Sequence, residues 1–448
     1  MKSTSLRQWL GTLKDAGLLR TVSRQVDLRY ELPAVIKKAD GRFAVQFNKP
    51  SQGTMPVVAG YAGSRAMLAL AMGVPLEKVS EQFYWAQANP VECRLVDKSA
   101  APVKEVITTK VDLGQLPIPT HHEKDAGPYI TGALLVAKDP VTGARNVSIH
   151  RLQVTGPDRL GILVLPRHLA HFFQAAESCG RPLDIALAIG VDPLLLLCSQ
   201  AIAPLGFDEF TIAGALYGKP LELVKCETVD VEVPAQAEIV LEGRLLPGVR
   251  ETEGPFGEYP KYYGPASLKP VIQLTAMTTR ANPLYHTILP ATMEHMLLGA
   301  IPRECGMLQM VRQAVPSAVG VHLTPGGTCR YHAVVAIDKR YEGEAKNAMF
   351  AAFASTQEVK RVVVVDQDVD IYDPVDVEWA IATRFQAGRD LFVAGGALGS
   401  KLDPSAEDGI SDKLGIDATV PMGADPFRFE RIRIPGETDC KLDDYLDK

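Results

Sequence analysis

The sequence predicts an α/β (α+β) chain built in three parts, and three observations predict it. At 448 residues the chain is roughly three times a typical domain of about 150 residues. Its first hundred residues mix helical and strand patterns, its middle turns to short β segments, and the region after His295 alternates helix and strand again. The expected parts are residues 1–101, 102–300 and 301–448.

In MKSTSLRQWLGTLKDAGLLR, Leu6, Trp9, Leu10 and Leu13 fall at helical spacing with charges between them, the pattern of an amphipathic core helix and not of a signal peptide. A helical pattern recurs over Ser64–Met72, and Phe43–Phe47 and Pro56–Ala59 read as short strands, which makes a small α/β unit. From Val106 the segments ITGALLVAKD, NVSIHRLQV, RLGILVLP and VEVPAQAEIVLEGRLLPG are separated by PVTG and TGPD turns, which predicts a β-barrel or sandwich carrying a few helices. The apolar stretch His295–Val315 reads as a helix leading into HAVVAIDKR, a helix around Glu344–Ala354 and RVVVVDQDVDIYD, a third α/β unit. The stretch from Gly395 to Lys448, rich in Gly, Pro and Asp, is expected to wrap back over the body.

Lys+Arg 47 against Asp+Glu 53 gives a formal charge of −6, with no electrostatic footprint for a polyanion, so nucleic acid is not an expected partner. No run of about 18 apolar residues exists to span a bilayer, and a cytoplasmic location is expected. The seven cysteines (93, 179, 198, 226, 305, 329 and 440) never form a CxxC pair, which indicates neither a disulfide framework nor a zinc knuckle and predicts reduced, mostly buried thiols.

Four constellations could carry chemistry. In Asn146-Val147-Ser148-Ile149-His150-Arg151 a strand would put Val147, Ile149 and Arg151 on one face. Arg151 then either snorkels to water from an edge strand or is buried and needs an anionic partner. In Glu251-Thr252-Glu253-Gly254-Pro255-Phe256-Gly257-Glu258-Tyr259, a Gly-Pro-Phe-Gly turn can aim Glu253 and Glu258 into one cleft. Paired carboxylates near an arginine are one way to keep one acid ionised and let the other donate a proton; the other reading is an acidic surface turn. Asn146, His168 and Glu209 are possible metal ligands unconnected by any short motif; as an N/O set they would suit Mg²⁺ or Mn²⁺ better than zinc, while His168 reads equally as a helix cap or core residue. Finally, AGGALGSKLDPS and SDKLGIDAT offer glycines and lysine for a phosphate, without GxGxxG or GxxxxGK[ST], and read otherwise as a glycine-rich surface loop.

Together these segments resemble the UbiD family of reversible decarboxylases, which use prenylated FMN, and the likeness runs from the RQWL helix to KLGIDAT. The N-x-[SG]-x-x-R strand of that family matches Asn146 and Arg151, its P-x-H matches Pro166-Arg167-His168, and its glutamate ahead of E-L-V-K-C matches Glu209. The E-G-P-F-G-E turn, the most specific motif, falls on Glu253 and Glu258, and Lys413 of KLGIDAT matches the lysine that meets the cofactor phosphate. The resemblance implies a flavin-binding split β-barrel between an N-terminal α/β domain and a C-terminal α/β dimerisation domain. It implies cofactor contacts from Ser148, Ile149, His150, Arg151, Arg167, His168 and Lys413. It also implies a divalent metal, usually Mn²⁺, on Asn146, His168 and Glu209, with K⁺ as a second ion. Arg151, Glu253 and Glu258 would be catalytic: the cofactor adds to the substrate, CO₂ leaves, and Glu258 protonates the carbon left behind. A UbiX-type prenyltransferase would supply the cofactor, and a homodimer or larger homo-oligomer is expected. One departure is Arg167, where relatives often carry Gln.

His295 and Arg303, eight residues apart, share one side of a helix. They resemble the pair that furan-2,5-dicarboxylate decarboxylases of the family place at the far end of the substrate, and so point to furan-2,5-dicarboxylate giving 2-furoate and CO₂. Similar EH…R patterns in relatives acting on hydroxybenzoates or pyrrole-type acids keep a monoacid open, and an ordinary FMN oxidoreductase is the more remote alternative.

Overall fold

The computed structural model describes residues 2–441 and 444–446. The N-terminal part is a four-stranded sheet, Leu19–Val26, Ala44–Pro50, Val57–Ala59 and Tyr285–His286, flanked by helices that include Leu6–Asp15, Glu31–Ala39, Arg65–Met72 and Val79–Ala88. The first helix begins where the sequence pattern places it: Ser5 caps it by accepting from the Gln8 amide, and Leu6, Trp9, Leu10 and Leu13 are buried. The strand from Leu19 escapes the sequence reading because it shows no clean apolar period, and the helix from Glu31 escapes it although Leu32, Ile36 and Ala39 are buried at helical spacing.

The middle is a nine-stranded antiparallel sheet. From one edge its strands run Tyr129–Ile130, Leu152–Gly156, Arg159–Ile162, Ser267–Thr279, Ile239–Glu253, Leu183–Ile189, Ala133–Lys138 and Arg145–Ile149, with Val106–Thr108 added beside Ser267–Thr279. The chain passes from the strand at one edge, ending at Ile149, to a strand beside the other edge, starting at Leu152, through His150 and Arg151 alone. Two residues bridge at most about 10 Å, so the two edges must meet, and the sheet curls into a barrel left unzipped along that seam.

Both faces of this sheet are covered, which is why its strands read as unbroken apolar runs. Leu135, Ala137, Ile185, Leu187 and Leu241 fill the barrel interior. Leu134, Val136, Val147, Ala186 and Val240 pack on the helical layer formed by Pro193–Cys198, Phe210–Tyr217 and the N-terminal helices.

The C-terminal part is a five-stranded sheet in the order Ala318–Leu323, His332–Ile337, Arg361–Asp366, Ile410–Ala418, Leu391–Leu398, with the three central strands parallel. Helix Glu344–Ser355 covers one face and Pro374–Arg384 the other, so Val362 and Val364 join one core and Val363 and Val365 a second. Leu391–Leu398 corrects the expected glycine-rich surface loop: AGGALG belongs to an antiparallel edge strand, and its glycines sit at a bulge between Ala394 and Ala397, with Gly396 at φ +72°.

The 22-residue linking helix Met293–Ala314 joins all three parts. Its Glu294 carboxylate accepts from the amides of Gly60 (2.8 Å) and Ala62 (3.0 Å), and its Glu304 pairs with Arg65 and, at 3.1 Å, with His322. Among the described residues no helix is long and apolar enough to cross a membrane. All seven cysteines are free; Cys198, Cys305 and Cys329 are buried, while Cys179 and Cys440 are exposed.

Candidate active site

The unzipped seam of the barrel carries the site. Asn146 and Ser148 share one face of the edge strand Arg145–Ile149, while Val147 faces the helical layer. Arg151 lies beyond the end of that strand, in the two-residue corner, which corrects its expected place on a strand face beside Val147 and Ile149. The reason is the seam itself: ladder pairing with Ala133–Lys138 stops at Ile149, and the chain must turn to reach the other edge.

Arg151 is largely buried, its side chain 10% exposed, and it has two acidic partners. Its Nε and Nη2 donate to the two carboxylate oxygens of Glu253 at 2.9 and 2.7 Å, and its Nη1 pairs with Glu258. Glu253, the last residue of the long strand Ile239–Glu253, is fully buried, and Glu258 follows the short strand Phe256–Gly257, which pairs with Tyr263–Gly264. The Gly-Pro-Phe-Gly turn thus aims both acids at one guanidinium. Removing one member of such a buried pair costs about 3–5 kcal/mol, because the remaining charge is left uncompensated. The Phe256 ring covers the guanidinium with its centroid 5.2 Å from Cζ. The turn is clasped from outside, where Asp125 accepts from the Gly257 amide at 2.8 Å. A Cβ on Gly257 would stand 2.5 Å from His122 Nδ1, so only glycine lets His122 pack there. A cavity of about 380 Å³ opens on this turn, lined by Glu258, Tyr262, Tyr263, His121 and His122 among others. Next to Arg151, the His150 ring is pinned between Ser148 Oγ (3.0 Å) and the Leu163 carbonyl (3.1 Å), and desolvation lowers its pKa to about 4, so it stays neutral.

Asn146, His168 and Glu209 come together although 63 residues of chain separate the first from the last. Glu209 accepts from Asn146 Nδ2 at 2.9 Å and from the Val147 amide at 2.8 Å, and His168 Nδ1 lies 4.0 Å from its Oε1. Burial pushes the Glu209 carboxyl up to about 7, and burial and the neighbouring Arg167 lower the His168 imidazole. Asn146 Oδ1 is buried without a hydrogen-bond partner. An orphaned carbonyl oxygen, an imidazole and a carboxylate short of cationic partners fit a divalent cation of the Mn²⁺ or Mg²⁺ kind. Among the described residues no group of three His, Cys, Asp or Glu side chains could do this alone, so the amide is needed to complete the set.

At the far side, the linking helix brings His295 and Arg303 onto one face, as their spacing predicts. His295 Nδ1 accepts from the Ala291 amide at 3.3 Å, and desolvation, with Arg330 and Arg303 nearby, lowers its pKa to about 4. Arg303 donates to Glu358 at 3.1 Å and to the Gly299 carbonyl at 2.7 Å. Between them lies Arg330, which the sequence did not announce. It is buried, donates to the carbonyls of Met296 and Cys329 at 3.2 and 2.8 Å, and sits over the Tyr259 ring at 5.6 Å. Burial and Arg303 lower its pKa to about 10. A Cβ on Gly299 would come within 1.7 Å of Arg330 Nη2, so a glycine in mid-helix was the one available signal that another group crosses there. Arg167 senses both Arg303 and Glu358, which puts the residue ahead of His168 beside this cluster. Tyr259, next in the chain to Glu258, links the two ends by hydrogen bonds to Tyr331 and Ser400, each 3.1 Å. Lys413 lies behind Glu358: its ammonium donates to the carbonyls of Gln357 and Val359, each at 2.6 Å.

Comparison with known proteins shows the family. Profiles of the 3-octaprenyl-4-hydroxybenzoate carboxy-lyase N-terminal, Rift-related and C-terminal domains match residues 10–84, 94–293 and 296–418. The structure of the UbiD-class enzyme HmfF from Pelotomaculum thermopropionicum in complex with FMN superimposes with a TM-score of 0.98 at 61% identity, covering 99% of this chain and 100% of that one. An evolved dimeric form of HmfF in complex with prFMN gives a TM-score of 0.93 at 58% identity over 99% and 100% of the two chains. Among curated relatives, anhydromevalonate phosphate decarboxylase of Methanothermobacter thermautotrophicus is 40% identical over 428 residues, 95% of this chain and 99% of that protein. With all three domains matched in order and relatives aligned from end to end, the chain belongs to the UbiD family of carboxy-lyases.

Proposed function

We propose that the protein is a prenylated-FMN-dependent decarboxylase of a heteroaromatic acid, converting furan-2,5-dicarboxylate to 2-furoate and CO₂. The observation that carries this reading is the pairing of one buried guanidinium, Arg151, with two carboxylates at one end of a site whose other end holds His295, Arg303 and Arg330. An acid with a carboxylate at each end of a flat ring needs a cation at each end. The likeness to flavin-bound HmfF supports the cofactor.

The cofactor, when bound, supplies the sink for the electron pair released as the C–C bond breaks. The chain supplies the rest. Arg151 holds the departing carboxylate, and Glu253, bidentate on Arg151, fixes its plane. Glu258 delivers a proton to the ring carbon that loses CO₂, and the cavity on its turn is the route by which solvent restores that proton. One C–C bond is exchanged for one C–H bond, with no net oxidation. Asn146, His168 and Glu209 would hold the divalent metal, Mn²⁺ by family resemblance, whose charge offsets a cofactor phosphate. For Lys413 to meet that phosphate, its ammonium must exchange the Gln357 and Val359 carbonyls for phosphate oxygens. A homo-oligomer is supported by the exposed row Leu391, Val393 and Leu398 on the edge strand of the C-terminal sheet.

The test is CO₂ release by protein co-expressed with a UbiX-type prenyltransferase, with furan-2,5-dicarboxylate beside 2-furoate, pyrrole-2-carboxylate and 4-hydroxybenzoate. Preference for the diacid is expected. Preference for a monoacid would retain the chemistry and discard the substrate, and full activity without any source of prenylated FMN would discard the cofactor.

A further inference from the structure

We infer that Glu358 shifts the anion preference of the distal end of the site away from a doubly charged phosphate-type group and towards a singly charged carboxylate. The inference rests on the proposed function in taking the distal cluster as the place where the substrate's second acidic group lies.

Glu358 is the one carboxylate in contact with the distal arginines among the described residues. Its Oε2 accepts from Arg303 at 3.1 Å and lies 4.0 Å from Arg330 Nε, and all three side chains are largely buried. Burial alone would push the Glu358 carboxyl up, but Arg303, Arg330 and Arg167 hold it below the ordinary range, so it stands there ionised. It is also held in place. The carbonyls on either side of it, those of Gln357 and Val359, share the buried Lys413 ammonium, and its own amide donates to Thr356 Oγ1 at 3.4 Å. Its contact with Arg303 keeps that charge within the cluster.

A cluster of guanidiniums without an acid is a phosphate site, because guanidiniums bind phosphate and carboxylate with the same fork and prefer the more highly charged anion. A fixed carboxylate among them repels an incoming dianion about twice as strongly as a monoanion at the same place. Glu358 therefore costs a phosphate-type ligand more than it costs a carboxylate. Arg303 keeps its orientation from Glu358 on one side and the Gly299 carbonyl on the other, so the guanidinium is presented at no further conformational cost.

The experiment measures dissociation constants by calorimetry on FMN-loaded protein at pH 8. The three probes share the proximal carboxylate: furan-2,5-dicarboxylate, 5-phosphono-2-furoate and 2-furoate. Glu358→Gln should move the ratio of the two affinities, phosphonate against dicarboxylate, at least tenfold towards the phosphonate relative to wild type while 2-furoate changes less than twofold, and Glu358→Asp, which keeps the charge, should keep the wild-type ratio. An unchanged ratio in folded Glu358→Gln overturns the inference, as does failure of every probe to bind either protein. Should Glu358→Gln not fold, Glu358→Met takes its place, with the same shift expected and an unchanged ratio overturning the inference. Turnover of furan-2,5-dicarboxylate by wild type separates the two readings. A ratio shift without turnover removes the substrate and keeps the role of Glu358, and turnover without a shift does the opposite.

Discussion

The two ends of the site are opposites in charge. At the seam, one arginine lies between two glutamates; at the linking helix, Arg303 and Arg330 share one glutamate, with Arg167 close by. The seam is one positive charge short, and the helix end has positive charge to spare. Both ends use buried Arg–Glu pairs, so neither residue type alone reveals the role. The imbalance does: in the proposed function it separates the place that hands over a proton from the one that holds a carboxylate.

The largest effect should come from the seam. Glu258→Gln and Arg151→Ala should each lower kcat for decarboxylation on the order of 10³-fold or more, measured as CO₂ release with saturating cofactor. Retained activity in both would break the comparison by removing the proton from the seam. Next, Arg303→Ala should lower kcat/KM for the dicarboxylate by roughly 2–4 kcal/mol and leave a monoacid analogue nearly untouched. Equal losses on both acids would mean that the helix end holds the fold together and not the substrate.

A third effect concerns neither end but the cation site proposed at Asn146, His168 and Glu209. Mn²⁺ at a hundredfold excess over its Kd should raise the unfolding free energy of wild type by about 2.7 kcal/mol, and Asn146→Ala should abolish most of that gain in a thermal melt. The smallest is a pH effect. His121 is buried against Thr287 at 3.1 Å, and desolvation pushes its pKa down to about 3. Its folded pKa lies below the unfolded value of about 6.5, so the unfolded chain holds a proton that the fold refuses, and stability falls as pH drops from about 6.5. Relative to wild type, His121→Gln should flatten that limb by one proton, about 1.4 kcal/mol per pH unit, in urea melts between pH 6.5 and 4. Parallel curves would show that His121 is already charged in the fold.

Much of the fold could be read from local pattern. The first helix announces itself by spacing and by its Ser5 cap, and the valines of RVVVVD by their number, because a strand covered on both faces must be apolar throughout. The seam site was legible as motifs, since its residues lie in two short segments, 146–151 and 253–258. What pattern could not give was the place of Arg151, which depends on where two sheet edges meet, a fact of curvature and not of period. Arg330 and Glu358 were hidden for a related reason: each is an ordinary residue in its own segment, and only the packing of the C-terminal sheet on the linking helix brings them to Arg303. Gly299 and Lys413 carried partial signals, a glycine where a helix prefers alanine and a lysine that its strand buries, and both serve those hidden residues.

The seam also sets how the gene can vary in length. Only His150 and Arg151 cross from one edge of the barrel to the other, so one inserted residue would displace the guanidinium by about 3.3 Å and turn it to the opposite side. Six residues upstream of Asn146 the same chain makes the turn from Pro140 to Gly143, where Val141 is exposed and the loop is held by its own Asp139 side chain, which accepts from the Val141 amide and the Thr142 hydroxyl. Insertions at one of these turns should be invisible to the enzyme and at the other fatal, although the two lie within a dozen codons of each other.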